Sequence, residues 1–223
     1  SSAVAGTTAN MSIYMTTFFW QLTSDDLRWL SLAGVGAAMA FPAVAVLQRR
    51  LDKKHILFTS ASLSLFAGVI VVFLRIIGVL PDNGSKWLLG IIVIDLAFFY
   101  ALEVIRGVIA SSVLADILDQ HELKTGYRQE AMFTAAMLFC IKATSGLGIL
   151  FGGLILSMIG LPVQAPPSSV PAQTVFNLGL IVGLCLPLLH IVPIAMIGRY
   201  SITRAVHADI RRQLDERRVA ATP

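Results

Sequence analysis

The chain has 223 residues, 56% of them hydrophobic and 13% charged, with a formal net charge of +4. Soluble domains carry about 25% charged residues, so this composition argues against a soluble globular protein. With repeated uncharged runs of bilayer length, it reads as an all-α, multi-pass membrane protein. The positive balance is not a nucleic-acid signature, because the basic residues flank the apolar runs, and no nucleic acid is expected as a partner. No signal-peptide pattern opens the chain. It starts without methionine, inside an uncharged stretch, and is expected to be one half of something longer.

Six spans are predicted. Residues 1–24 carry no charge but are rich in Ser, Thr, Ala and Gly, with Asn10, Tyr14, Thr16 and Thr17. A helix this wet belongs against a bundle interior or a cavity. Asp25, Asp26 and Arg28 should end it. Residues 29–47 form the second span, where Gly34 and Gly36 permit close helix contact and Pro42 should kink the backbone. A cationic cluster follows, Gln48 to His55. Residues 56–80 form the third span, with Arg75 near its end in a position to snorkel, and Pro81-Asp82-Asn83-Gly84 reads as a turn. Residues 87–115 form the fourth, with Asp95, Glu103 and Arg106. Residues 131–159 form the fifth and hold Lys142. A proline-rich linker, Pro162 to Gln173, precedes the sixth span, 174–198, with Pro187, His190 and Pro193. The tail, 199–223, is polar and basic and is expected to form a surface helix through Arg218. Cys140 and Cys185 fall in apolar spans and read as buried packing residues.

Orientation follows from the lysines and arginines. With six spans, twelve of the 17 lie on the side that holds both chain ends, two lie on the other side, and three lie within spans. Five or seven spans would scatter them. The six-helix bundle 1–198 is therefore expected in a cell membrane, a bacterial inner membrane, with both ends and the basic tail cytoplasmic.

The charges inside the spans are the functional candidates, since an ionised group at the bilayer centre costs about 2.5–3.5 kcal/mol on insertion scales. At about 100° per residue, Asp95, Arg106 and Glu103 project from one helix face. Glu103 and Arg106 stand at i, i+3 and can pair. They read either as a structural ion pair or as the lining of a hydrated path. Lys142 has no acid near it on its own helix, and Gly146, Ile149 and Gly153 share its face. Its partner must come from another helix: Asp95, Glu103, or an acid outside this chain. His190 reads as a buried neutral histidine or as a proton or substrate contact. The stretch Asp116 to Glu130, DILDQHELKTGYRQE, is read as a short charged loop: either a solvated turn or a cytoplasmic gate whose ion pairs break and form. No phosphate loop, nucleophile elbow or metal motif is present, and no enzymatic activity is expected.

That same stretch carries a resemblance. Ala115-Asp116-Ile117-Leu118-Asp119, then Glu122, Lys124-Thr125-Gly126, Arg128 and Glu130, with Lys142 twelve residues further on, resembles the glycoside–pentoside–hexuronide:cation symporters, a branch of the major facilitator superfamily. The cluster Arg49 to Lys54 is similar to the superfamily's loop between the second and third helices of a half. The resemblance covers essentially the whole chain, aligned as the C-terminal half, helices seven to twelve. It implies alternating access between two six-helix halves and symport of a sugar with Na⁺ or H⁺. It further implies that the cation is bound mainly by an N-terminal half, with no other cofactor. Lys142 matches a lysine beside the cation and sugar sites, and Asp116, Asp119, Glu122, Arg128 and Glu130 match gate positions. Gly107 stands where the family's melibiose carrier has a sugar-contacting tryptophan, so galactoside specificity is not implied. Two alternatives to sugar symport remain: a lysolipid or other small-solute carrier of the same fold, and a non-transporting membrane receptor or scaffold.

Overall fold

The structure is a computed structural model and describes residues 2–127, 129–161, 166, 169–198 and 204–220. Every regular element among them is helical: α1 (Ser2–Tyr14), α2 (Ser24–Leu30), α3 (Gly34–Arg50), α4 (Lys53–Ile76), α5 (Lys86–Thr125), α6 (Glu130–Ile159), α7 (Ala172–Leu178), α8 (Leu186–Leu188), α9 (Ile191–Ile197) and α10 (Arg204–Ala220). Five stretches are long and apolar enough to cross a membrane: Ser24–Arg50, Lys53–Ile76, Lys86–Thr125, Glu130–Ile159 and Ala172–Ile197. They correspond to the second through sixth predicted spans. The first falls short of a regular span. α1 gives way to a π-helical turn at Met15–Phe19 and the chain leaves the helix at Trp20. It turns through Gln21 at φ 51°.

Several boundaries move for identifiable reasons. The second membrane helix starts at Ser24, not 29, because Thr23 and Asp26 close a capping box across its first turn. Its irregular turn lies at Ser31–Ala33, and α3 then runs on through Pro42. The predicted charged loop at Asp116 is helix as far as Thr125, which leaves only a short connection around Gly126. Leu, Gln, Glu and Lys there are good helix formers, the stretch rests against other elements, and Gly126 ends the helix in the left-handed conformation at φ 77°. At about 1.5 Å per residue, the 40 residues of α5 span about 60 Å, far more than a bilayer core of about 30 Å, so its last turns project past the membrane. Arg75 does not reach away from its helix. Its Nη1 donates to the Pro81 carbonyl at 2.8 Å and straps the turn beyond α4. Cys140 and Cys185, expected to be buried, are both exposed free thiols, on helix faces that the described residues leave uncovered.

Helix directions follow from paired contacts. Gly36 of α3 lies against Ala97 of α5, and Ala40 and Val44 share a cluster with Ile105 and Ile109, so α3 and α5 run parallel. A methyl group on Gly36 would overlap the Ala97 carbonyl; only the absence of a Cβ lets the backbones meet. α4 runs antiparallel to α5, with Lys53 at its start beside Asp116 near the end of α5. Gly6 faces Ser145 and Met11 faces Gly152, so α1 and α6 run in the same direction, the one that first and fifth spans share in a six-span reading. Two apolar clusters close the bundle at its poles. One joins Phe18, Phe19, Val72, Leu88, Leu178 and Val182; the other joins Val44, Ile56, Ile105 and Ile109, on the basic side.

Candidate functional site

Between these two apolar clusters lies a cavity of about 630 Å³ bounded by α1, α4, α5 and the last span. All three charged residues of the predicted α5 face line it: Asp95, Glu103 and Arg106. Arg106 pairs with Glu103 through two contacts, Nε to Oε1 at 3.1 Å and Nη2 to Oε2. Asp95 is half-buried two turns nearer the start of α5 and has no hydrogen-bond or ion-pair partner among the described residues. The wall opposite is α1 with the π-helical turn that follows it, whose Thr8, Ser12 and Thr16 line the cavity. Ser12 and Thr16 donate to carbonyls of their own helix at 2.7 Å, so their protons are satisfied and their oxygens still accept. His190 closes the third side. Its Nδ1 lies 3.2 Å from the Pro187 carbonyl, which also accepts from the His190 N–H at 2.9 Å where the chain passes from α8 to α9. The space therefore combines a carboxyl group, a fixed ion pair and hydroxyl oxygens with apolar walls that include Trp20 and Phe99. That suits a neutral polar solute or a cation.

Lys142 lies elsewhere. It is exposed on α6, outside this cavity, and neither Asp95 nor Glu103 pairs with it. The residues that share its face, Gly146, Ile149 and Gly153, are exposed too, and a Cβ at either glycine would meet nothing within 4 Å. α6 buries only the stripe Gly148, Gly152 and Leu156, against α1.

A second ionic centre sits at the basic pole. Asp116, 3% exposed, receives Lys53 Nζ on both carboxylate oxygens, at 2.7 and 2.8 Å. His207 of α10 brings Nε2 to 3.2 Å from Asp116 and to 3.2 Å from Asp119. Among the other predicted gate residues, Glu122 is half-buried on the last turns of α5 and Glu130 opens α6 exposed, each with a polar partner. Arg128 lies outside the described residues. Sequence reasoning found the acids here and missed two of their partners. Lys53 was visible only as one cation in a run. His207 carried no signal beyond a place on an amphipathic tail helix. No group of three His, Cys, Asp or Glu that could hold a metal occurs among the described residues.

A family model described as MFS/sugar transport protein matches residues 2–204. A protein of Synechocystis sp. described as an uncharacterized symporter is 29% identical over 94% of this chain. The chain spans 38% of that relative's length.

Proposed function

This chain belongs to the MFS/sugar transport protein family, and on that premise we propose that it forms the C-terminal six-helix part of a secondary transporter. That transporter moves a sugar or glycoside with Na⁺ or H⁺ by alternating access. The observation that carries the reading is the placement of Lys142. A lysine about 18 Å of helix into an apolar segment stands on a face that no helix among the described residues covers. A cation at that depth requires a counter-charge or water, and the N-terminal half, with its own acids, supplies both across a hydrated interface. Lys142 then links solute and cation occupancy electrostatically. Asp95 and the Glu103–Arg106 pair line the solute-accessible space within this half, while Asp116, Asp119, Glu122, Arg128 and Glu130 belong to a cytoplasmic gate. The protein sits in the cell membrane with its basic side inside.

The test is uptake by the full-length protein in liposomes, with a panel of labelled glycosides and imposed Na⁺ or H⁺ gradients. Accumulation above the external concentration, driven by one cation, is the expected result. Equilibration that ignores both gradients would remove the coupling. Absence of counterflow for every solute, lysolipids included, would leave a non-transporting membrane protein.

A further inference from the structure

α10 is too polar to enter a bilayer, yet it is held to the end of α5 at three places. At its start is His207. In its middle, Ile210 and Leu214, one and two turns further on, are 5% and 6% exposed. Near its end Arg217 Nη1 donates to the Leu123 carbonyl at 2.6 Å. The apolar seat is small, two side chains, and the polar contacts on either side of it add to the hold and fix where the helix sits. Among these, His207 has an unusual position. One ring nitrogen stands 3.2 Å from carboxylates of two residues, Asp116 and Asp119, that lie at i, i+3 on α5. Asp116 is at the same time clamped by Lys53. Both carboxylates make other polar contacts as well, so His207 is one member of a network and not their lone partner.

We propose that His207 is a positioning residue that docks the C-terminal helix onto the Asp116–Asp119 pair, and that a proton on its imidazole tightens the dock. The groups that face it are Lys53 from α4 and Asp116 and Asp119 from α5. Asp52 adjoins Lys53 in sequence, and Arg211, one turn along α10, is exposed. A neutral imidazole has one N–H and donates to one oxygen at a time. The protonated ring places a full positive charge between two carboxylates, and hydrogen bonds of that kind are about twice as strong. The sign follows: the added hold is present on the acid side of the histidine titration and is lost as pH rises through it. Histidine is the side chain whose charge ordinarily changes between about pH 5 and 8. α10 follows the last span in sequence, so docking ties that end of the chain to the end of α5. Under the transport reading above, acid on the cytoplasmic side then slows opening on that side. The dock itself does not depend on that reading.

The experiment is hydrogen–deuterium exchange of the full-length protein in lipid nanodiscs between pH 5.5 and 8, corrected for intrinsic rates and read over residues 204–220. Protection of α10 should fall about fivefold from acid to alkaline pH in the native protein. His207→Gln keeps a hydrogen-bonding side chain without titrating and should show flat, low protection. His207→Lys, permanently charged, should restore part of the protection at every pH. Arg217→Gln should lower protection at all pH values but keep the slope. A native profile without slope, or a His207→Gln profile with the native slope, overturns the proposal. Exchange of α4 and α5 reports that each variant is folded. Should the liposome assay find no transport while the α10 slope stands, only the transport reading falls.

Discussion

α5 and α6 are both long apolar helices that carry charge, and they resolve it in opposite ways. α5 is packed by α3, α4 and α10, and, apart from Asp95 in the cavity wall, the charges of its packed face meet groups of this chain. Glu103 has Arg106 three residues on, and Asp116 has Lys53 and His207. α6 packs chiefly against α1 through a stripe of three small or apolar residues. Its lone cation has no ion-pair partner among the described residues, and Phe139 and Met158 are 72% and 84% exposed. The difference separates a helix whose ion pairs close within this chain from one whose exposed lysine, on the function proposed above, faces a second half. A charged group paired across helices of this chain fixes how those helices pack.

The comparison can be broken most sharply at Lys142. In the full-length protein, Lys142→Ala should lower cation-driven accumulation about a hundredfold, in keeping with an interaction of a few kcal/mol deep in the membrane, with expression and melting temperature near native. Normal accumulation by this variant would remove the coupling role.

The next effect belongs to α5 and should appear in stability instead. Lys53→Met leaves the Asp116 carboxylate buried without its main clamp, which typically costs about 3–5 kcal/mol. Thermal unfolding in detergent should show a clear drop. The double variant Lys53→Met/Asp116→Asn should recover much of it, because no buried charge is then left exposed to its own desolvation. Equal melting points for the single and double variants would mean that the pair contributes nothing.

Glycines sharpen the contrast further. Gly36→Val forces a side chain into the Ala97 carbonyl and should destabilise by about 1–3 kcal/mol. Gly146→Val meets nothing within this half, so it should leave the melting temperature alone and impair uptake if a second half covers that face. An unstable Gly146→Val variant with intact uptake would reverse the assignment of the two helices.

The smallest expected effect is kinetic. Asp119→Asn removes one of the two carboxylates that face His207 and should slow solute uptake about twofold to tenfold, without a matching loss of equilibrium binding. Equal losses in both would argue against a gate.

Much of this was legible along the chain. Helix content and five of the six expected spans follow from runs of apolar residues, since a bilayer offers backbone groups no partner except their own helix. The shared face of Asp95, Glu103 and Arg106 follows from the helical repeat, and the cavity they line was anticipated to that extent. The capping box at Thr23 was also in the sequence, as a threonine three residues before an aspartate, and it moved the start of a span by five residues. Less legible was the helical continuation through Asp116 to Thr125. Alternating acids and bases read equally as a loop or as a solvated helix, and the choice rested on Lys53, His207 and Arg217, residues 63 or more positions away in the chain.

By itself, then, the sequence determined what must be helical, which segments suit lipid and which charges need company, because these depend on local composition and on a fixed periodicity. Which partner each charge takes was decided only by tertiary structure. Close approach at Gly36, the clamp of Lys53 on Asp116, the seat of α10 and the bare face of Lys142 all depend on how helices distant in sequence are placed side by side. Periodicity orients a side chain about its own axis and says nothing of what stands opposite.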